Sequence, residues 1–467
     1  MAHIHKIGIQ NFRIFKDYSE CEIAPITILT GPNNSGKSTF IRALKLLEES
    51  AKLSGFYNLL PNNTETEYFS NSSLFSINED ANSQKLLFSL NIENSGSNQI
   101  VLPEFFQIRL EFMRGINKSS DLILCSIQVE DLKSGKEFIK YFSGLHEIGL
   151  KESVDHFSIS DEFEKREREA IELEIEIIKS IAEIFIQKII YLPTSRISQQ
   201  REFNRRDTTF LSNKLFSIED GDLKIFNSSQ NENLTGEFRI SYQPYLIEKS
   251  AKEFVFTNDK INSVFSLGQH ILFLPNNHLG NYELLLHTYD DKLVNVADLG
   301  YGVSNLITML LSIDIASAEY QGTQFSDIRL RGEKASRKVL SKVHKDSEKL
   351  ILIEEPELNL HPNFQAKLAD VFALAHKKMG IRFIIETHSE YLIRKLQTLV
   401  AEKIISADDV SLNYIYNHDK AKRPAGKQQV HNIKIKEDGR LSEAFGSGFF
   451  DEADNLAMDL LSIKSMN

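Results

Sequence analysis

An α/β fold built around a phosphate-binding loop is what this sequence predicts, and three stretches predict it. Residues 26–29 are apolar and β-branched, and a glycine-bearing loop leads from them into an apolar-periodic stretch at 39–47. That is the pattern of strand, turn and helix. Residues 350–353 form a second apolar run, which stops at Glu354-Glu355-Pro356. Residues 381–385 form a third, which stops at Glu386-Thr387-His388-Ser389, with a helix-patterned stretch at 363–376 in between. Strands and helices alternating around such a loop give a mixed sheet flanked by helices.

The remaining elements follow along the chain. Residues 4–9 alternate as a strand, and 54–98 are rich in Asn and Ser, which predicts loops and short strands. Residues 106–112 and 122–129 read as meander strands. The charged stretch 161–186 favours helix, although Ile171, Leu173 and Ile175 alternate as a strand would. Residues 188–192 form a strand ended by Pro193. From 199 to 262 the chain is polar and predicts an inserted arm, after which 304–318 and 390–400 read as helices and 322–347 as a basic loop. No internal repeat and no long heptad array is present in the sequence. The expected division is an N-terminal lobe (1–190) with a strand-rich insertion, an inserted arm region (191–275) and a C-terminal lobe (276–467).

With 467 residues the chain exceeds one ordinary core, so two lobes are expected. Hydrophobic residues at 41% and charged residues at 25% fit a globular chain with a large interior. Lys+Arg 54 against Asp+Glu 65 leaves a net charge of −11, which argues against an overall nucleic-acid coat but is compatible with a local basic face. Cys21 and Cys125 are too few for a disulfide framework or a zinc site, fit a reducing compartment, and read as small buried apolar residues. His3, His5 and Lys6 interrupt any N-terminal apolar run, and the most hydrophobic stretch, 306–318, contains Asp314 and is too short to span a bilayer. A cytoplasmic protein without membrane association is expected.

Gly31-Pro32-Asn33-Asn34-Ser35-Gly36-Lys37-Ser38 fits the G-x-x-x-x-G-K-[ST] phosphate loop and sits between a strand and the helix beginning at Thr39. Glycines let backbone N–H groups curl around phosphate oxygens. Lys37 is placed to reach the β- and γ-phosphates, Ser38 to bind Mg²⁺, and the helix N-terminus adds its dipole. ATP or GTP is therefore the expected ligand. In the Glu354-Glu355 pair, the first carboxylate is suited to holding Mg²⁺ and the second to orienting the attacking water as general base. His388 falls 33 residues after Glu355 with one helix between, a spacing at which neighbouring parallel strands present their ends to one phosphate. It is the candidate γ-phosphate sensor.

These motifs, with Asp298-Leu299-Gly300-Tyr301-Gly302-Val303-Ser304-Asn305 and the run Glu354-Glu355-Pro356-Glu357-Leu358-Asn359-Leu360-His361-Pro362, resemble the stand-alone ABC-type ATPases grouped under the AAA name. Those are relatives of RecF, SMC and the overcoming-lysogenisation-defect (OLD) proteins. The opening Ile9-Gln10-Asn11-Phe12-Arg13-Ile14-Phe15-Lys16 and residues 446–452 resemble the family too, whereas about 50–191 and 199–272 carry little of the likeness. The resemblance implies an ABC-type P-loop ATPase head with ATP and Mg²⁺ as cofactors. It implies that Arg13 joins Gly31, Asn33, Asn34, Ser35, Gly36, Lys37, Ser38 and Thr39 at the nucleotide. It further implies that 300–305 is a signature motif departing from Leu-Ser-Gly-Gly-Gln, with Gly302 and Ser304 touching the ATP of a second, head-to-tail subunit. Residues 359–362 would then be the loop crossing that interface, and Glu354 replaces the transporters' Asp.

Three function classes compete. The resemblance implies first an ATPase subunit of a bacterial anti-phage system, like those of Septu, PARIS or retron cassettes, controlling a separate effector such as a nuclease. A RecF-like repair ATPase that binds DNA directly is the alternative. A transporter's nucleotide-binding subunit is disfavoured, because Lys37 and Gly302 lie far apart in sequence. An OLD-type TOPRIM nuclease domain is not expected, since only 79 residues follow His388 and none forms Asp-x-Asp. Asp451 and Glu452 read as surface acids, and His3 and His5 as no metal site. Arg329, Arg331, Lys334, Arg337, Lys338, Lys342 and Lys345, and separately Arg201, Arg205 and Arg206, could meet nucleic acid or an acidic partner, or simply be solvated.

Overall fold

The computed structural model describes residues 2–54, 58–59, 85–94, 103–114, 122–142, 189–194, 254–275, 282–318, 349–419, 423–446, 451, 455–456 and 458–459. The expected helix at 161–186, the arm up to residue 253, both arginine- and lysine-rich clusters and the basic loop at 322–347 lie outside these residues. Among the described residues the fold is mixed α/β, as the sequence predicts.

Its centre is a six-stranded sheet of β3 (Ile26–Thr30), β9 (Ile189–Leu192), β13 (Lys349–Glu354), β14 (Ile381–Glu386), β15 (Val410–Ile415) and β16 (Val430–Ile433), in the order β16-β15-β3-β14-β13-β9. All pairs are parallel except β15 with β16. Every residue of β3, β14 and β15 is buried, the mark of a sheet covered on both faces. Side chains alternate between two cores. Ile26, Ile28, Ile351, Ile353, Phe383 and Ile385 face one; Leu29, Leu352 and Ile384 face the other.

The first core is closed by α3 (Tyr301–Ala318), α4 (Pro362–Met379) and α5 (Glu390–Ala401). Helix α4 starts with His361, whose Nδ1 accepts from Asn363 N at 3.3 Å, and with Pro362 at its first position. It stops at Gly380, which takes the left-handed conformation (φ 65°). The second core is built on α1 (Lys37–Ser54), whose Phe40, Ile41, Leu44 and Leu47 are buried between the parallel sheet and a seven-stranded antiparallel one. That second sheet comprises β1 (Ala2–Gln10), β2 (Ser19–Glu22), β4 (Asn58–Leu59), β5 (Leu86–Asn94), β6 (Phe105–Arg114), β7 (Leu122–Asp131) and β8 (Lys136–Phe142). Edge-to-face ring pairs Phe15–Phe40, Phe12–Phe88 and Phe88–Phe112, with centroids 4.9, 5.5 and 5.9 Å apart, stitch the loop after β1 to both layers. Cys21 and Cys125 are both buried in this lobe.

Two stretches differ from the sequence reading. Residues 86–94 were expected to hold loops or short strands, yet β5 pairs along its length with β1 and β6. Its Leu86, Phe88, Leu90 and Ile92 all point into the core and alternate with Ser89, Asn91 and Glu93, a period-two signal lying inside an Asn- and Ser-rich stretch. Residues 254–262 were expected in the polar arm. They instead form α2 (Val255–Asp259) and a π-helical turn (Lys260–Val264), with Phe254, Phe256 and Ile261 buried against α3. Asp314 of α3 accepts the α2 amides of Phe256 and Thr257 at 3.1 and 2.6 Å, supplying the cap that the short helix lacks in its own sequence. A three-stranded antiparallel sheet follows, of β10 (His270–Pro275), β11 (Tyr282–His287) and β12 (Leu293–Asn295). No described helix is long and apolar enough to cross a membrane.

Candidate nucleotide site

Leu29, Glu386 and Glu354 pair in register across β3, β14 and β13, so three strands end on one line and their following loops share one edge. β14 lies between β3 and β13.

The phosphate loop has little freedom. A Cβ on Gly31 (φ 138°) would sit 2.3 Å from Ile415 O, and one on Gly36 (φ 107°) would sit 2.7 Å from the Phe15 ring. Only glycine fits either position. Asn34 is left-handed (φ 59°), a conformation Asn tolerates better than most residues. Asn33 and Asn34 are exposed, whereas Ser35, Lys37 and Thr39 are buried and Ser38 is half-buried. Lys37 Nζ donates to Gly31 O and Pro32 O at 3.2 and 3.0 Å. Burial lowers its pKa, opposed by the carboxylates of Glu386, Glu355 and Glu357. From the far side, Gln429 in the loop before β16 donates to Ser35 O at 3.4 Å.

Glu355 occupies the left-handed region at φ 45°, and its N–H donates to Glu386 O at 2.8 Å. Glutamate pays strain there, and backbone strain of this kind gathers at functional sites. One carboxylate oxygen each of Glu355 and Glu386 and one ring nitrogen of His388 lie within 4.8 Å of one another, the only such His/Cys/Asp/Glu group among the described residues. Burial pushes Glu386 up to about 7, reinforced by the charges of Glu354 and Glu355 and opposed by the Ser38 hydroxyl and Lys37. Burial, then Lys37, pushes His388 down to about 4, so its ring is neutral at physiological pH.

The loop bearing His388 is pinned from several sides. Glu357, buried and raised by that burial, accepts His388 N–H at 2.6 Å. Ser389 caps α5 by accepting from Leu392 N, and donates to Gln365 Oε1 at 2.7 Å. Gln365 in turn donates to Leu360 O at 2.9 Å, tying this loop to the one after Glu355.

Glu354 is engaged elsewhere. Tyr191 Oη donates to its Oε1 at 3.0 Å, Thr194 Oγ1 to its Oε2 at 3.3 Å, and Arg42 Nε lies 3.7 Å from Oε1. Burial and this carboxylate raise the Tyr191 pKa, keeping the hydroxyl protonated as a donor. Arg13, also left-handed (φ 53°), is lowered by burial and by the charge of Arg42, which places it beside α1 on the Arg42 side of the site.

Gly302 and Ser304 were expected to face a second subunit's nucleotide, and here both side-chain positions point inward. Ser304 is fully buried, its Oγ donating to Val296 O at 2.5 Å and Gly300 O at 2.9 Å. A Cβ on Gly302 would lie 2.2 Å from Asn359 O, so this glycine serves a close contact with the loop after Glu355. The exposed residues of the segment are Asp298 and Gly300. Tyr301 Oη reaches Thr194 O at 3.5 Å, connecting the start of α3 to the neighbour of Glu354.

The structure thus gathers Lys37, Ser38, Glu354, Glu355 and His388 at one sheet edge. Sequence reasoning gave no role to Glu386, Glu357, Gln365, Tyr191, Thr194 or Gln429. Glu386 alone had a signal, since it ends a strand in the same motif as His388. A hydroxyl and carboxylates beside a buried lysine suit a phosphate chain with a hard divalent cation, which prefers oxygen donors.

Residues 3–393 match a family model described as an AAA ATPase domain, and residues 405–460 match one described as a protein of unknown function (DUF3696). No curated protein matches the chain in sequence. Among solved structures, one of an SMC head bound to the C-winged helix domain of ScpA aligns at 12% identity over 93% of this chain and 98% of that one, with a TM-score of 0.47. An SMC head domain with an extended coiled coil bound to the C-terminal domain of ScpA, from Pyrococcus furiosus, aligns at 11% identity over 98% and 100%, with a TM-score of 0.42. The SMC head domain from Thermotoga maritima aligns at 10% identity over 93% and 99%, with a TM-score of 0.37.

Proposed function

The chain belongs to the AAA ATPase domain family, and from that premise we propose that it binds and hydrolyses ATP at the edge where β3, β14 and β13 end. The observation that carries this reading is the convergence of a buried Lys37 with Glu355, Glu386 and His388 beside a glycine-constrained phosphate loop. Lys37 and the loop amides hold the phosphates, and Glu355 accepts a proton from the attacking water. His388, neutral and anchored through its backbone by Glu357, donates an N–H to the γ-phosphate. Ser38 and the strand-end carboxylates would hold Mg²⁺, which would supply neutralisation of the phosphate charge.

On this reading the working unit is a head-to-tail pair. Support comes from the packing of the α3 start on Asn359, which joins exposed Asp298 and Gly300 and exposed Asn359 and His361 into one region that a second subunit could cover. The surface-facing residues then replace Ser304 as the contacts across the pair. The output is control of a separate effector, in the manner of the anti-phage ATPases this sequence resembles.

Lys37→Ala tests the reading. It should abolish ATP binding in a direct fluorescence titration, and effector co-purification from cells expressing the neighbouring genes should be lost with it. Undiminished ATP binding would remove the phosphate-loop assignment; unchanged co-purification would remove ATP control of the effector.

A further inference from the structure

Resting on the ATPase reading, we infer that Gln429 is a positioning residue of the phosphate site, and that the β15–β16 hairpin carrying it is the back wall of the phosphate loop. Register gives the first reason. β15 lies parallel to β3 with Tyr414 opposite Thr30, so its end is level with the start of the loop. There Ile415 O approaches Gly31 so closely that a Cβ would lie 2.3 Å from it. The contact of Gln429 itself gives the second. Gln429 is 6% exposed, and its Nε2 donates to the main-chain oxygen of fully buried Ser35 at 3.4 Å. Both strands of the hairpin lie beyond residue 393, where the ATPase family match ends.

The Ser35–Gly36 peptide is trans, so its C=O and N–H point in opposite directions. Holding Ser35 O toward Gln429 turns Gly36 N–H away from the hairpin, onto the side where the amides of a phosphate loop meet phosphate oxygens. Other contacts set the front of the loop: Lys37 Nζ donates to Gly31 O and Pro32 O, and Ser35 N donates to Pro32 O at 3.3 Å. Gln429 is itself held firmly. Its main-chain oxygen accepts from Tyr416 N at 2.7 Å, and the adjoining Val430 is buried with Ile415, Leu29 and Phe40 in the core built on α1. On either side of Gln429, Lys427 and His431 both donate to Glu443, which ties the strand down from its outer face. A donor fixed on so braced a hairpin shapes the loop before nucleotide arrives, and preorganisation of this kind is read out as affinity.

The experiment uses the full chain in buffer containing Mg²⁺. Dissociation constants are measured for a fluorescent ADP analogue and, by competition against it, for inorganic diphosphate. Gln429→Met keeps the length of the side chain and removes its N–H. Both constants should rise by ~3- to 10-fold, the scale of one hydrogen bond. They should rise by the same factor, because the lost donor shapes the phosphate cradle and leaves the base untouched. A merely structural role would lower the urea midpoint while leaving both affinities of the folded chain unchanged, and that result overturns the inference. So does a loss for the ADP analogue alone. Should Gln429→Met not fold, Gln429→Asn, whose amide stops short of Ser35, decides by the same two constants: weaker binding of both ligands supports the assignment and unchanged binding overturns it. A wild-type chain that binds neither ligand removes the ATPase reading itself, and this inference with it.

Discussion

Ser304 and Gly302 illustrate how far single residues can be read without coordinates. Their chemistry, a hydroxyl and a bare backbone at a helix start, suits a phosphate, but the side-chain direction depends on packing. Ser304 turns inward to Val296 O and Gly300 O, and Gly302 is required where Asn359 O comes close. Lys37, Ser38, Glu355 and His388 were legible because loop spacing and strand ends fix where they stand. Glu386 was visible as a residue and its place in the site was not, because that place follows from β14 lying between β3 and β13. Gly302→Ala should therefore destabilise the fold by about 1–3 kcal/mol, the usual cost of overpacking, read as a lowered urea midpoint. A variant as stable as wild type would show that the Asn359 contact can relax.

At the scale of elements, β3, β13, β14, α4 and α5 could be read from the sequence because each is a clean apolar run or a period bounded by proline, glycine or a capping residue. β5 and α2 could not. In β5 the alternation is short and sits within a stretch whose overall Asn and Ser content reads as loop. In α2 the cap comes from Asp314 on a distant helix, which no local pattern reveals. That carboxylate also carries a pH signature. Burial raises it to about 6, while the two α2 amides oppose the rise. The folded state thus holds a proton that the unfolded chain releases near its ordinary value, so the contribution of Asp314 falls as pH rises from about 4 to about 6. Asp314→Asn lacks this titration. The stability of the variant relative to wild type should improve between pH 4 and pH 7 by up to ~3 kcal/mol, measured by urea unfolding at both values. A pH-independent difference would show that Asp314 titrates normally.

Across the whole molecule, distant parts of the chain meet at one sheet edge: the phosphate loop follows β3, Glu355 follows β13, His388 follows β14, and Gln429 reaches back to Ser35 from the loop before β16. The parallel sheet carries the β1–β8 sheet and α1 on one face and α3–α5 on the other. The mixed α/β core was foreseeable from motif order, but the register that levels Leu29, Glu386 and Glu354 was not, since pairing of distant strands leaves no local trace. The most direct test is ATP turnover of the purified chain across a range of protein concentrations, comparing wild type with Glu355→Gln. Turnover per chain should rise with concentration as head-to-tail pairs form, and Glu355→Gln should be slower by ~10²-fold or more at every concentration, the loss expected when a general base is removed. Equal turnover by the two proteins would contradict hydrolysis at this site.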